Sequence, residues 1–158
     1  MKTLWLARHA RPLIDTERCY GRLDIAADAQ ATRQAAQALQ QSLQPLHGRL
    51  QIRHSPLQRC RQLALDLQVL EPDFISTPDG RLLEMDFGHW EGLRWNDIGE
   101  AAIGAWAQDL ARHAPGEGES LAQMLQRVHE ALQDALSSDS EHMVWICHAG
   151  VARCAQWL

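Results

Sequence analysis

The chain has little lysine, no paired cysteine motif and no long apolar run. Of its 15 basic side chains only Lys2 is a lysine. A membrane-spanning helix needs about 20 mostly apolar residues, and no stretch of that kind occurs. Only five residues separate Lys2 from Arg8, which is too short for the apolar core of a signal peptide. We therefore expect no contact with a membrane.

The cysteines are few and widely spaced. The four positions are Cys19, Cys60, Cys147 and Cys154, with no C-x-x-C pair among them. Such usage is typical of reduced thiols, so we expect a cytoplasmic protein. Cys147 and His148 are adjacent, and neighbouring residues of a strand point to opposite faces, which is awkward for a shared metal. We predict no metal site and no cofactor.

Charge further limits the class of partner. The net charge of −5 and the isoelectric point near 5.9 argue against a nucleic-acid surface, which is built from clustered basic side chains. The basic side chains are almost all arginines, whose planar guanidinium groups suit carboxylates and phosphates. A length of 158 residues fits one domain spanning 1–158. Nothing in the pattern indicates an oligomeric state.

Short apolar strands alternate with helical patterns along the chain. Strands are predicted over 4–8, 50–54, 74–77 and 143–147, and helices over 27–46, after Pro56, over 95–98 and 103–112, after Ser120, and at the end of the chain. Ser120 with Gln123 forms a capping-box pattern, and the helix after it has a predicted buried stripe of Leu121, Leu125, Val128, Leu132 and Leu136. This order of strands and helices predicts an α/β fold of three layers, α/β/α, in which helices cover both faces of a mainly parallel central sheet.

Several residues suited to phosphate chemistry follow the predicted strands. The first strand ends in Arg8 and His9, the last is followed by His148, and Arg59 lies about one turn into the helix after the second. The carboxyl ends of parallel strands share one edge of a sheet, so these four side chains should meet there. Two guanidinium groups and two imidazoles can bind a phosphate dianion.

An imidazole in such a pocket can also attack phosphorus, splitting hydrolysis into transfer to nitrogen and attack by water. The leaving alkoxide then needs a proton from a carboxylic acid. Glu84 and Asp86, in the segment LLEMDFGHWEG, are both candidates, and physical reasoning does not separate them. Taken singly, each residue is explained as well by a polar strand end or a solvated surface position. The hypothesis depends on the combination.

Five segments carry a family resemblance in order along the chain: LARHA, HSPLQRC, LLEMDFGHWEG, GES and ICHAGVAR. Together they resemble the histidine phosphatase superfamily, which has the phosphoglycerate mutase-like fold. Within it, CYGRLD, SPLQRC and EMDFGHWEG are most similar to α-ribazole phosphatases, which act late in cobalamin biosynthesis.

The resemblance implies a role for each matching residue. It implies that His9 is the phosphorylated nucleophile and that Glu84 protonates the leaving group. Arg8, Arg59 and His148 would bind the phosphoryl group. Arg22, after the nucleophile motif, would be a candidate substrate contact.

The implied activity is metal-independent hydrolysis of a small phosphomonoester, with α-ribazole 5'-phosphate or a related cobalamin precursor as the favoured substrate. A non-catalytic module that binds a phosphate ligand on the same fold is one alternative. A phosphatase or mutase of other small phosphorylated metabolites is another, although the chain is short for the inserted segments of the mutases.

The chain departs from the family pattern at a few positions. Ala10 and Ala149 stand where the family usually has glycine, and an added Cβ disfavours positive φ, so an altered pocket backbone is expected. Asp15 would repel a phosphate if its side chain pointed inward. Relatives usually continue beyond the position of Leu158 into a further strand and helix, so we expect a sheet one strand short.

Overall fold

Four short parallel strands form the centre of the fold. The computed structural model describes residues 2–158. The strands are β1 (Thr3–Arg8), β2 (Leu50–His54), β3 (Ser76–Pro78) and β4 (His142–Cys147). They lie in the order β1-β4-β2-β3, and each neighbouring pair is parallel. The predicted α/β fold with a parallel sheet is confirmed, although β3 begins two residues later than expected.

The helices connect and cover these strands. They are α1 (Ala29–Leu43), α2 (Gln58–Leu70), α3 (Trp95–Ile98), α4 (Glu100–Gln108), α5 (Leu121–Ser137) and α6 (Ala149–Trp157). The predicted capping box is present at the start of α5, where Ser120 Oγ accepts from the Gln123 N–H and the Gln123 side chain accepts from the Ser120 N–H. No helix in residues 2–158 is both long and apolar enough to cross a bilayer.

Alternate residues of β4 point into two separate cores. Met143, Trp145 and Cys147 pack with α5 and α6 on one face of the sheet. Val144 and Ile146 pack with α1 and α2 on the other face. Successive side chains of a strand point to opposite sides, so a strand of consecutive apolar residues makes both faces of the sheet apolar. The result is the predicted three-layer arrangement, with β4 buried in the middle of the sheet.

Two details of the helices differ from the prediction. The buried side of α5 is formed by Met124, Val128, Ala131 and Ala135, whereas Leu136, assigned to the buried stripe, is 47 % exposed. The small alanines allow close packing on the sheet and leave the predicted leucines at the margin. In α2, Arg59 is the second residue rather than one turn in, because Pro56 and Leu57 lie before the helix.

Candidate active site

The ends of three strands place polar side chains together at one edge of the sheet. His9 follows β1, and its backbone N–H donates to Cys147 O at 3.2 Å. Ser55 follows β2, and its N–H donates to Ile146 O at 2.9 Å. His148 follows β4 directly. The ring centroids of His9 and His148 are 5.0 Å apart. The predicted meeting of the two histidines is therefore observed.

His9 is held as a neutral ring with one free nitrogen. The side chain is only 7 % exposed, and Nδ1 lies 2.7 Å from the backbone oxygen of Ala10. A carbonyl oxygen only accepts, so Nδ1 carries the proton and Nε2 keeps its lone pair. Burial lowers the pKa of His9 to about 4, and Arg59 and Arg8 add to this effect while the hydrogen bond to Ala10 opposes it. At neutral pH the ring can act as a nucleophile.

His148 is buried more deeply than His9. It is fully inaccessible, and its Nε2 lies 2.8 Å from Ser55 Oγ and 3.5 Å from Cys60 Sγ. Its Nδ1 is buried and has no hydrogen-bond partner within residues 2–158. Burial is the main reason that the pKa of His148 falls to about 2, with Arg59 and His9 contributing. His148 is therefore neutral at neutral pH and has one uncommitted ring nitrogen.

Arg59 is a completely buried cation held by the loop after β1. Its Nη1 donates to Leu23 O at 2.8 Å and its Nη2 to Gly21 O at 2.5 Å. Its Nε is buried without a partner in the described chain. A guanidinium has five N–H groups, so these two bonds fix its orientation and leave donors for a ligand. The guanidinium carbon also lies 5.6 Å from the ring centre of Tyr20.

The loop that holds Arg59 is itself anchored by Glu91. The Glu91 carboxylate accepts backbone N–H bonds from Gly21 and Arg22 at 2.9 Å, and from Leu23 at 3.0 Å. Gly21 has no room for a side chain, because a Cβ there would lie 1.8 Å from the Met85 carbonyl oxygen. The carboxylate thus fixes the carbonyl groups that orient the buried arginine.

Glu84 is held beside the first turn of α6. Its Oε2 accepts from the Gly150 N–H at 3.1 Å, and its Oε1 accepts from the Met85 N–H at 3.1 Å. A Cβ on Gly150 would lie 2.2 Å from Oε1. The missing side chain of Gly150 is therefore what lets the carboxyl group sit against the helix N-terminus.

His9, Arg59 and Glu84 border a cavity of about 790 Å³. The polar residues that line it include Arg8, His9, Arg59 and Glu84, all predicted from the sequence, together with Tyr20 and Arg153. Its remaining walls are largely apolar and include Phe87, Trp106, Leu121, Met124 and Leu125. His148 is not part of the lining, but its ring centre is 5.0 Å from that of His9, which does line the cavity. The cationic residues of the lining can bind an anion, and the apolar residues can enclose an apolar group.

The structure separates the two carboxylates, Glu84 and Asp86, between which physical reasoning from the sequence could not choose. Glu84 lines the cavity, whereas Asp86 does not. Asp86 instead accepts from the Gly88 N–H at 2.8 Å and lies 3.6 Å from Arg22. Arg22 also pairs with Glu119 at 3.5 Å. Arg22 is absent from the cavity wall, so its predicted contact with a substrate gains no support from this arrangement.

The expected backbone strain at the two alanines does not occur. Within residues 2–158, Glu117 is the only residue other than glycine with positive φ, at 60°. Ala10 and Ala149 thus adopt conformations that any residue tolerates. Asp15 likewise points away from the cavity, since it accepts from the Glu17 N–H and lies 3.6 Å from Arg94. The alanines therefore add no strain from positive φ, and the Asp15 side chain has partners outside the cavity lining.

Sequence reasoning missed several residues of the site. Ser55 and Glu91 lie inside the quoted motifs, yet neither has a pattern that distinguishes it from a turn or surface residue. Tyr20 and Arg153 reach the cavity from a loop and from α6. Only the position of Ser55 directly after a predicted strand could have indicated it, because its neighbours in the sheet end at the same edge.

Comparison with known proteins agrees with this geometry. Residues 4–158 match the histidine phosphatase superfamily (branch 1). A protein of Hydrogenobacter thermophilus named "Putative phosphoserine phosphatase 2" is 29 % identical over 157 residues, covering 95 % of this chain and 74 % of that protein.

Solved structures are similar over nearly the whole chain. The alpha-ribazole phosphatase from Shigella flexneri is 25 % identical with a TM-score of 0.80, covering 94 % of this chain and 75 % of that one. A mycobacterial glucosyl-3-phosphoglycerate phosphatase has a TM-score of 0.80 at 24 % identity, covering 96 % and 76 % of the two chains. The second likeness concerns the fold alone.

Proposed function

Because the chain belongs to the histidine phosphatase superfamily, we propose that it hydrolyses small phosphomonoesters through a phosphohistidine at His9. The observation that carries the proposal is the state of this ring. Its Nδ1–H is committed to Ala10 O, which leaves the Nε2 lone pair free beside Arg8 and Arg59. A neutral imidazole among fixed cations is suited to attack on a phosphate dianion.

The proposed reaction has two steps. Nε2 of His9 attacks phosphorus, the ester P–O bond breaks, and the leaving oxygen takes a proton from the Glu84 carboxyl group. Water then attacks the phosphohistidine and gives its proton to Glu84, which releases inorganic phosphate and restores the free ring. Arg8, Arg59 and His148 would bind the phosphoryl oxygens. We propose that the arginines supply the positive charge, without a metal ion.

The shape of the cavity favours a substrate with an apolar ring. Phe87, Trp106 and Leu125 line the same cavity as the charged groups. α-Ribazole carries a benzimidazole ring, which such walls can enclose. Phosphoserine instead carries an ammonium group, and Glu84 is the only carboxylate that lines the cavity within the described chain. We therefore propose α-ribazole 5'-phosphate or a related cobalamin precursor as the substrate.

Hydrolysis of an aryl phosphate in EDTA tests the reaction. The parent protein should hydrolyse the aryl phosphate. His9→Ala should reduce this activity by at least about 10³-fold because the nucleophile is gone. His89→Ala is the matched control, since this exposed histidine lies outside the cavity. An inactive parent that still binds phosphate would favour the non-catalytic alternative. Activity lost only on chelation would contradict the metal-independent mechanism.

A substrate panel tests the finer proposal. We expect kcat/KM for α-ribazole 5'-phosphate to exceed that for phosphoserine, and Trp106→Ala to reduce this preference. Inhibition by inorganic phosphate should not change in that variant, because phosphate occupies the end of the cavity near His9. Equal kcat/KM for the two substrates would contradict the assignment of the apolar wall.

A further inference from the structure

We propose that Ser55 is a positioning residue that donates its hydroxyl proton to Nε2 of His148 and thereby fixes the ring with its proton on Nδ1. In this tautomer Nδ1 is a hydrogen-bond donor without a partner among residues 2–158, and under the proposed function it is the group that binds a phosphoryl oxygen. The consequence for turnover rests on the proposed function, whereas the tautomer itself does not.

The two residues are brought together by the sheet rather than by chance contact. Ser55 follows β2 and His148 follows β4, and these strands are paired so that His54 lies opposite Ile146. The Ser55 N–H bonds to Ile146 O at 2.9 Å, which fixes the serine backbone. Both side chains are completely buried, and their Oγ and Nε2 atoms are 2.8 Å apart. The contact is therefore shielded from water.

The direction of this hydrogen bond follows from the available acceptors. If Nε2–H donated to Ser55 Oγ, the buried hydroxyl proton would need another acceptor. The nearby candidate is the Cys60 sulfur, which accepts only weakly. The Cys60 thiol can donate to Cys147 O at 3.5 Å. Donation from Ser55 to Nε2 pairs the hydroxyl proton with a strong acceptor, so it is the arrangement of lower free energy.

The tautomer matters because a neutral imidazole has only one N–H. Burial and nearby cations keep His148 neutral, with a pKa lowered to about 2. A neutral ring protonated on Nε2 would turn the lone pair of Nδ1 toward any anion and repel it. With the proton on Nδ1, the same atom becomes a donor. Nδ1 has no other partner among residues 2–158. Ser55 would thus convert a repulsive contact into a hydrogen bond.

Nitrogen-15 NMR of the histidine-labelled protein reads the tautomer directly, with the His148 signals assigned by their loss in His148→Asn. We expect the Nδ1–H form in the parent and a shift toward Nε2–H in Ser55→Ala. Cys60→Ala is the matched control, because its sulfur lies 3.5 Å from the same nitrogen. This variant should keep the Nδ1–H form. An Nε2–H ring in the parent would overturn the proposal, and so would an unchanged ring in Ser55→Ala.

Turnover of an aryl phosphate provides the second readout. Ser55→Ala should reduce kcat/KM about 10- to 100-fold, the range for losing one hydrogen bond in a buried site. Ser55→Thr retains the hydroxyl and should restore both the tautomer and most of the activity. A Ser55→Ala protein with full activity would overturn the role in turnover. If the parent is inactive while the ring is in the Nδ1–H form, the proposed function fails and the tautomer assignment stands.

Discussion

Replacing Gly150 by alanine should displace the proposed acid, Glu84, without unfolding the chain. The new Cβ would lie 2.2 Å from Glu84 Oε1 and 3.0 Å from Met124 Cε. The φ angle of Gly150 is not in the positive range, so alanine is allowed there. The strain falls on the end of a flexible side chain, which can move at small cost. Alanine is also favoured over glycine within a helix by up to about 1 kcal/mol.

The expected loss of activity follows from the size of the displacement. An ordinary contact begins at 3.4 Å, so Oε1 must move by at least about 1.2 Å from its 2.2 Å position. A misplacement of about 1 Å in a catalytic group can reduce the rate about 10²-fold. We therefore expect Gly150→Ala to lower kcat by about 10²-fold, while the free energy of unfolding changes by no more than about 1 kcal/mol.

The measurements are steady-state hydrolysis of an aryl phosphate and urea denaturation of the same protein. Gly104→Ala is the matched control, because this glycine also lies in a helix and no atom lies within 4 Å of its added Cβ. The control should keep its activity. A Gly150→Ala protein that retains half or more of the parent kcat would refute the assignment of Glu84 as a precisely held acid.

Three further outcomes are expected. The free energy of unfolding should fall as pH drops from about 6.5 toward 4, because the unfolded histidines bind protons there while His9 and His148, with pKa values of about 4 and 2, do not. The loss is about 1.4 kcal/mol for each of these two rings at pH 5.5, and His54, whose pKa burial also lowers, adds to it. Urea unfolding of His9→Asn should therefore show a loss at pH 5.5 that is smaller than that of the parent by about 1.4 kcal/mol. Glu91→Gln should destabilise the chain by about 3 kcal/mol and weaken phosphate binding measured by calorimetry, because an amide cannot accept all the backbone N–H bonds that hold the loop whose carbonyl groups orient Arg59. Ala10→Gly should leave kcat within about twofold, since Ala10 has no positive φ to relieve; a large gain would show that the alanine strains the pocket.

The central features of the fold could be predicted from local pattern. β2 was predicted at its observed bounds, and Ser120 with Gln123 marked the start of α5 because a capping box is a contact between residues three apart. Patterns of this kind depend on neighbours in sequence, so they are readable without tertiary contacts. The buried side of α5 could not be predicted fully from such patterns. Its orientation depends on how closely small residues such as Ala131 approach the sheet.

The candidate site also has residues that the sequence could place and residues that only tertiary contacts could place. Arg8, His9 and His148 could be placed together because parallel strands end at a common edge, a consequence of topology alone. The family resemblance implied Glu84 rather than Asp86, but the physical reason for the choice required the position of Gly150, which lies 66 residues away along the chain. Arg22 shows the opposite case, since its ion pairs with Asp86 and Glu119 direct it away from the cavity.

The sequence by itself determined the alternation of strands and helices, the edge of the sheet at which the candidate site lies, and the residue types that suit a phosphate. These follow from periodicity, charge and the chemistry of single side chains. Only the tertiary structure decided which nitrogen of His9 is free, what holds Arg59, and what contacts His148 Nε2. Protonation and orientation depend on partners such as Ala10 O, the Gly21 carbonyl and Ser55 Oγ. Those contacts exist only when distant segments are packed together and water is excluded.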